Sequence, residues 1–201
     1  MRRSRAVCSK VVSVISVPMN LGQPFLGPDL TPRLMRENGL NSLLSSCGWR
    51  IDMEPDIVSS GVPPVHIPDR NIVLGNAKNC AEVGYICEKV FHVVKKHAET
   101  DNFVLILGGD HCIPIGTLPG LYSARRNTGV VWVDAHADIN IPATSGSGNM
   151  HGQNSNNIED RKLVDVNNLT HQFNDVLYRD ASRIPNEFGS KRLIISFDAM
   201  V

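Results

Sequence analysis

The sequence has no excess charge of either sign, no apolar run long enough to span a bilayer, and no C-x-x-C spacing among its five cysteines. Each absence closes off a class of function. With 20 basic and 20 acidic side chains in 201 residues, the chain offers no global field to nucleic acid or to an anionic membrane. A membrane-spanning helix needs about 20 predominantly apolar residues, and no run here approaches that length. Cys8, Cys47, Cys80, Cys87 and Cys112 are odd in number and read as free thiols in a reducing compartment. The expected location is therefore the cytoplasm, with neither nucleic acid nor membrane as a partner. Arg2, Arg3, Arg5 and Lys10, unaccompanied by an acid, resemble an organelle-targeting start such as a mitochondrial one. Against that, Val11 to Val17 already reads as a core strand and leaves little room for a removable leader.

A chain of this length, 42% hydrophobic, is expected to build one core, so residues 1–201 are read as a single domain. The run Val11-Val12-Ser13-Val14-Ile15-Ser16-Val17 is β-branched and stopped by Pro18, which suits a buried strand. A Gly/Pro-rich loop follows. Thr31-Pro32 reads as an N-cap with proline at the first helical position, and Leu34, Leu40, Leu43 and Leu44 give one helix an apolar stripe that Gly48 ends. A strand is expected near Trp49 to Met53, and a loop from Val62 to Pro68. Between Ala77 and His97, apolar residues recur every three or four positions, the pattern of an amphipathic helix. Cys80 and Cys87 fall on its apolar stripe as small core residues, and His92 and His97 are expected to cap or coat it. A strand (Phe103 to Leu107), a helix (Ile113 to Arg126) and a strand (Val130 to Val133) then alternate, the signature of a parallel sheet with crossover helices. Residues 154–190 are atypical: asparagine is frequent from Asn154 to Asn168, and apolar residues are too few to define an element.

The chemistry gathers where these strands end. Val130-Val131-Trp132-Val133 runs into Asp134-Ala135-His136-Ala137-Asp138, and residues two apart on an extended backbone project the same way. Two carboxylates and an imidazole can thus converge on one point. The run ending at Leu107 delivers Gly108-Gly109-Asp110-His111, and Leu193 to Phe197 delivers Asp198. Ligands at the carboxyl ends of parallel strands lie where such sheets bind. Carboxylate and imidazole without thiolate favour a hard or borderline divalent ion: manganese, magnesium, iron or zinc. Asp134, His136, Asp138, His111 and Asp198 are too many for one tetrahedral zinc that keeps a water, and suit two ions sharing carboxylate bridges. Two such ions lower the pKa of a bridging water and present hydroxide to an electrophilic carbon, so the implied reaction is hydrolysis. Alone, Asp110 and Asp198 read as turn formers or helix N-caps. His151, in a glycine-flanked loop, reads either as an ordinary loop histidine or as a proton shuttle. Cys112 reads as packed, because nothing else nearby is thiolate-rich.

GGDH at 108–111, DAHADIN at 134–140, SGNMHG at 147–152 and SFD at 196–198 resemble the ureohydrolase superfamily, and within it the arginases. Gly22-Gln23-Pro24, Gly27-Pro28 and Leu34 to Leu40 are similar to the arginase amino-terminal pattern. The resemblance implies a three-layer α/β fold with a mainly parallel sheet, two manganese ions, and hydrolysis of L-arginine to L-ornithine and urea, the chemistry of the urea cycle. It implies His111, Asp134, His136, Asp138 and Asp198 as metal ligands, with Asp134 and one later aspartate bridging, and His151 as proton shuttle beside a catalytic Asp138. Asn140, Ser147 and Asn149 match residues that recognise the substrate α-carboxylate. Where the family motif continues S-F-D-x-D-x-x-D-P, this chain reads Ser196-Phe197-Asp198-Ala199-Met200-Val201, so Met200 replaces a ligand aspartate. A thioether is a poor ligand for manganese. The carboxy-terminal part of the fold, with its contribution to the family homo-trimer, is accordingly expected to be missing, and activity to be weak or absent. The alternatives are a catalytically dead, metal-binding or regulatory arginase-like subunit, and another ureohydrolase such as an agmatinase.

Overall fold

A computed structural model of the chain describes residues 10–58, 76–100, 102–125, 128–134, 138, 140, 144–153 and 192–197. The first strand, β1 (Val11–Val17), is central to a parallel sheet and lies between β2 (Arg50–Met53) and β3 (Phe103–Gly108). Its β-branched residues are buried on both faces. Ile15 and Val17 point into one cluster with Val83, Ile86, Val90 and Val94, whereas Val12 and Val14 point into another with Leu107, Leu40, Leu44 and Trp49. Alternation along one strand thus fills a core on each side of the sheet, giving the helix, sheet, helix layering of an α/β fold. A second parallel pair joins β4 (Thr128–Val133) to β5 (Arg192–Phe197), with Val133 opposite Phe197.

The single helix expected before Gly48 is two helices, α1 (Thr31–Glu37) and α2 (Leu40–Ser46). Gly39, at φ 94°, takes the left-handed conformation that only glycine adopts freely, and the Asn38 side-chain amide donates to the Leu34 carbonyl, so the first helix is closed before the second begins. Thr31 is the first residue of α1 rather than its N-cap: a 3-10 turn over Pro28–Leu30 leads into it, and no side chain caps it. Nor is the leucine stripe wholly buried, since Leu34 and Leu43 are exposed. Gly48 does end the second helix. Its N–H reaches the Ser45 carbonyl, the Trp49 N–H reaches Leu44, and Trp49 and Leu44 pack against the same cluster, a Schellman closure that turns the chain into β2.

The amphipathic helix α3 (Cys80–Ala98) buries Val83, Ile86, Cys87, Val90 and Val94 at the expected spacing. Burial of each large aliphatic contributes about 1.5 to 3 kcal/mol. It packs against α4 (Pro114–Ala124), and Arg125 ties the two ends together by donating to the carbonyls of Ala98, Thr100 and Asn102 at 2.7, 2.8 and 2.9 Å. His97 does not coat the helix. It is 4% exposed, and its Nε2 lies 2.6 Å from Glu54 Oε1, because the carboxylate just beyond β2 reaches under the last turn of α3. No helix among the described residues is long and apolar enough to cross a membrane.

Candidate metal centre

The strand ends on the carboxyl side of the sheets carry the site. β3 leads into Gly109, whose N–H bonds the Val17 carbonyl, and Asp110, whose N–H bonds the Met19 carbonyl, so the turn bearing His111 is fastened to the chain leaving β1. β4 delivers Asp134. Asp138 follows at φ 53°, a left-handed conformation uncommon outside glycine but tolerated by aspartate, and it turns a second carboxylate inward. Both carboxylates are buried. Asp134 Oδ2 and Asp138 Oδ2 each lie 2.8 Å from His111 Nδ1.

Two acceptor oxygens therefore crowd one imidazole nitrogen, which can direct a single N–H at only one of them. A cation among the three atoms would turn that crowding into attraction. Among the described residues, these three alone form a group of His, Cys, Asp or Glu whose ligand atoms all lie within 4.8 Å of one another. Adjacent ligands of an octahedral divalent ion with bonds of about 2.1 Å stand about 3 Å apart, close to the separations found here. One nitrogen and two hard oxygens, with no thiolate, fit manganese, magnesium, iron or zinc. Cys112 is no ligand: burial, and then the nearby Asp110 charge, push its thiol far above the ordinary value. Cys87 is raised to about 12 for the same reasons.

The other sequence-derived candidates divide. His136 and Asp198 lie outside the described residues, as do Met200 and residues 154–190. His151 sits in a 3-10 turn (Met150–Gly152) beside the centre, where a Cβ built on Gly152 would stand 3.9 Å from Asp138 Oδ1. The ring Nδ1 and the backbone N–H of His151 lie 3.0 and 3.1 Å from the Gly22 carbonyl. Asn140 is fastened to the same turn, its N–H on the Gly152 carbonyl at 3.0 Å. Ser147 and Asn140 are exposed and Asn149 is half-buried. Missed by sequence reasoning was the clamp on this loop: Asn76 donates to the Ser145 carbonyl at 2.8 Å and the Lys78 N–H to Gly148 at 2.9 Å. Asp110 is buried and structural, as a turn former should be: its carboxylate accepts from the N–H groups of Gly22 and Cys112.

The model of the arginase family matches residues 10–175 of this chain. The chain belongs to the arginase family. It is 39% identical to the arginase of Neurospora crassa over 149 residues, which cover 70% of this chain and 40% of that protein. With the arginase of Bacillus caldovelox it shares 39% identity over 143 residues, 71% of this chain and 46% of the relative. Among solved structures, Bacillus cereus arginase is 36% identical at TM-score 0.61, covering 72% of this chain and 46% of that one. Bacillus subtilis arginase is 28% identical at TM-score 0.67, covering 94% and 75%. The chain thus spans less than half the length of the curated arginases it matches. Arginase-family proteins are metal-dependent hydrolases, in keeping with the donor set at His111, Asp134 and Asp138.

Proposed function

We propose that the centre serves arginase-type, manganese-dependent hydrolysis of L-arginine to L-ornithine and urea. The observation that carries the proposal is the convergence of His111 Nδ1 with the Asp134 and Asp138 carboxylates at parallel strand ends, with the His151 turn alongside. His136 and Asp198 are proposed to complete the donor set. Divalent ions held there would supply Lewis-acid activation of water and stabilise developing negative charge. The chain's own groups do the rest. His151, partly buried beside the centre, accepts and returns a proton, and Asp138 orients the attacking water by accepting its hydrogen bond. Asn140, Ser147 and Asn149 are neutral donors on the loop above, suited to an α-carboxylate without competing for the metal. They favour arginine over agmatine, which has no carboxylate.

Met200 favours a second reading, an arginase-like subunit that binds metal with little turnover. Where the family motif has a ligand aspartate, this chain offers a thioether, so one of the two metal subsites lacks a carboxylate. Manganese analysis after gel filtration and ornithine release with manganese supplied separate the readings. We expect fewer than two tightly held equivalents and turnover down by several orders of magnitude, with both rising in Met200→Asp. Two tight equivalents in the unaltered chain would defeat the argument from Met200. Hydrolysis of agmatine in preference to arginine would defeat the assignment of substrate.

A further inference from the structure

We propose that Asp110 and Gly22 are positioning residues for His151: Asp110 anchors the N–H of Gly22, and the carbonyl of the same residue, on the next peptide group, fixes which ring nitrogen carries the proton, a relay of position from carboxylate through glycine backbone to imidazole. A carbonyl oxygen only accepts, so the ring nitrogen 3.0 Å from the Gly22 oxygen, Nδ1, must donate. The neutral ring is therefore the Nδ1–H tautomer, and Nε2 is left without a proton, as a base requires. The backbone N–H of His151 reaches the same oxygen at 3.1 Å, so one carbonyl holds both the turn and its side chain.

That carbonyl is itself held in place. The Gly22 N–H donates to Asp110 Oδ2 at 2.8 Å, while Asp110 Oδ1 accepts the Cys112 N–H at 3.0 Å. Asp110 is 5% exposed and immediately precedes His111, so its carboxylate links the loop after β1 to the turn that carries a metal-centre residue. Gly22 must also lie close: a Cβ there would stand 1.8 Å from Cys112 Sγ and 3.0 Å from Asp110 Oδ1. No larger residue fits unless Cys112, Asp110 or the Gly22 backbone shifts. The relay joins residues 22, 110 and 151, which come together only in the folded chain.

The inference deepens the proposed role of His151 and rests on that reading for its use in catalysis, but not for its test. Long-range proton–nitrogen spectra of the full chain labelled with 15N-histidine, with His151 assigned through His151→Gln, read the tautomer directly. Above the ring's titration, wild-type His151 is expected to show a protonated Nδ1 and an unprotonated Nε2. Asp110→Ala is expected to shift the population to a majority of the Nε2–H form that free histidine favours. Asp110→Asn, which keeps the volume and one carbonyl oxygen, is expected to fall between. A wild-type Nε2–H tautomer, or one unchanged in both Asp110 variants while the amide spectrum stays folded, would overturn the relay. If Asp110→Ala does not fold, the wild-type and Asp110→Asn spectra still decide. The expected tautomer with no ornithine release even in Met200→Asp would sink the hydrolase reading and leave the relay standing.

Discussion

Among the described residues, the buried His97 and the half-buried His111 each meet two carboxylates, and only one of the two clusters is arranged like a metal centre. Around His111, both carboxylate oxygens close on the same nitrogen, each at 2.8 Å. Around His97, the carboxylates straddle the ring: Glu54 Oε1 lies 2.6 Å from Nε2, and Asp52 Oδ2 lies 3.7 Å from Nδ1. Lys96 also pairs with Glu54, so that cluster brings its own cation. Imidazole and carboxylate therefore do different work in the two places. Acceptors aimed at one point leave a place for an ion, whereas acceptors divided between two nitrogens and a lysine fasten the end of α3 to the edge strand β2.

The largest expected effect tests the convergent cluster. His111→Ala should weaken manganese binding by more than the roughly 100-fold typical of losing an outer-shell partner, while His97→Gln should leave it unchanged. Calorimetric titration with manganese measures both, and equal losses would erase the distinction. Next comes stability. His97→Gln should cost about 2 kcal/mol, the usual worth of a buried hydrogen bond to a charged group, read from urea midpoints.

A smaller effect is expected with pH. The hydrogen bond from Lys96, and then that with His97, hold the Glu54 carboxyl below its ordinary value of 4.5. A carboxyl whose folded pKa is depressed gives stability that is complete above the unfolded value and is lost as pH falls through the folded one. Wild-type protein should therefore lose its margin over Glu54→Gln as pH drops below about 4.5, and a margin constant through that range would show that the pair is not linked to folding. The smallest effect belongs to Lys96→Met. Its ammonium is exposed and solvent-screened, so the urea midpoint should barely move, and a large shift would mean that the lysine rather than the histidine holds the joint.

What could be read from the sequence follows from range. Val11–Val17 and α3 were legible because burial imposes a period on neighbouring residues, and a strand or helix displays that period within a few positions. The D-x-H-x-D spacing and the GGDH turn marked His111, Asp134 and Asp138 as candidates, and those three do converge, although Asp138 at φ 53° has left the extended backbone on which the two-residue alternation was argued. Three things were not legible. The break at Gly39 depended on a side-chain bond from Asn38 that competed with helical continuation. The burial of His97 depended on Glu54, 43 residues away, and the role of Asp110 on Gly22, 88 residues away. Such pairings leave no periodic trace, since nothing in either local segment identifies the other.

The joint between α3 and α4 also contains a stopwatch. Cys87 is buried, protonated at neutral pH, and lies with its sulfur 3.5 Å from the Cys112 carbonyl, whereas Cys47 is exposed. An alkylating reagent should mark Cys47 at once and Cys87 only in the moments when the joint parts. Counting that second label by mass spectrometry converts opening events into a rate, and any ligand that favours the closed chain must slow the count in proportion to its occupancy.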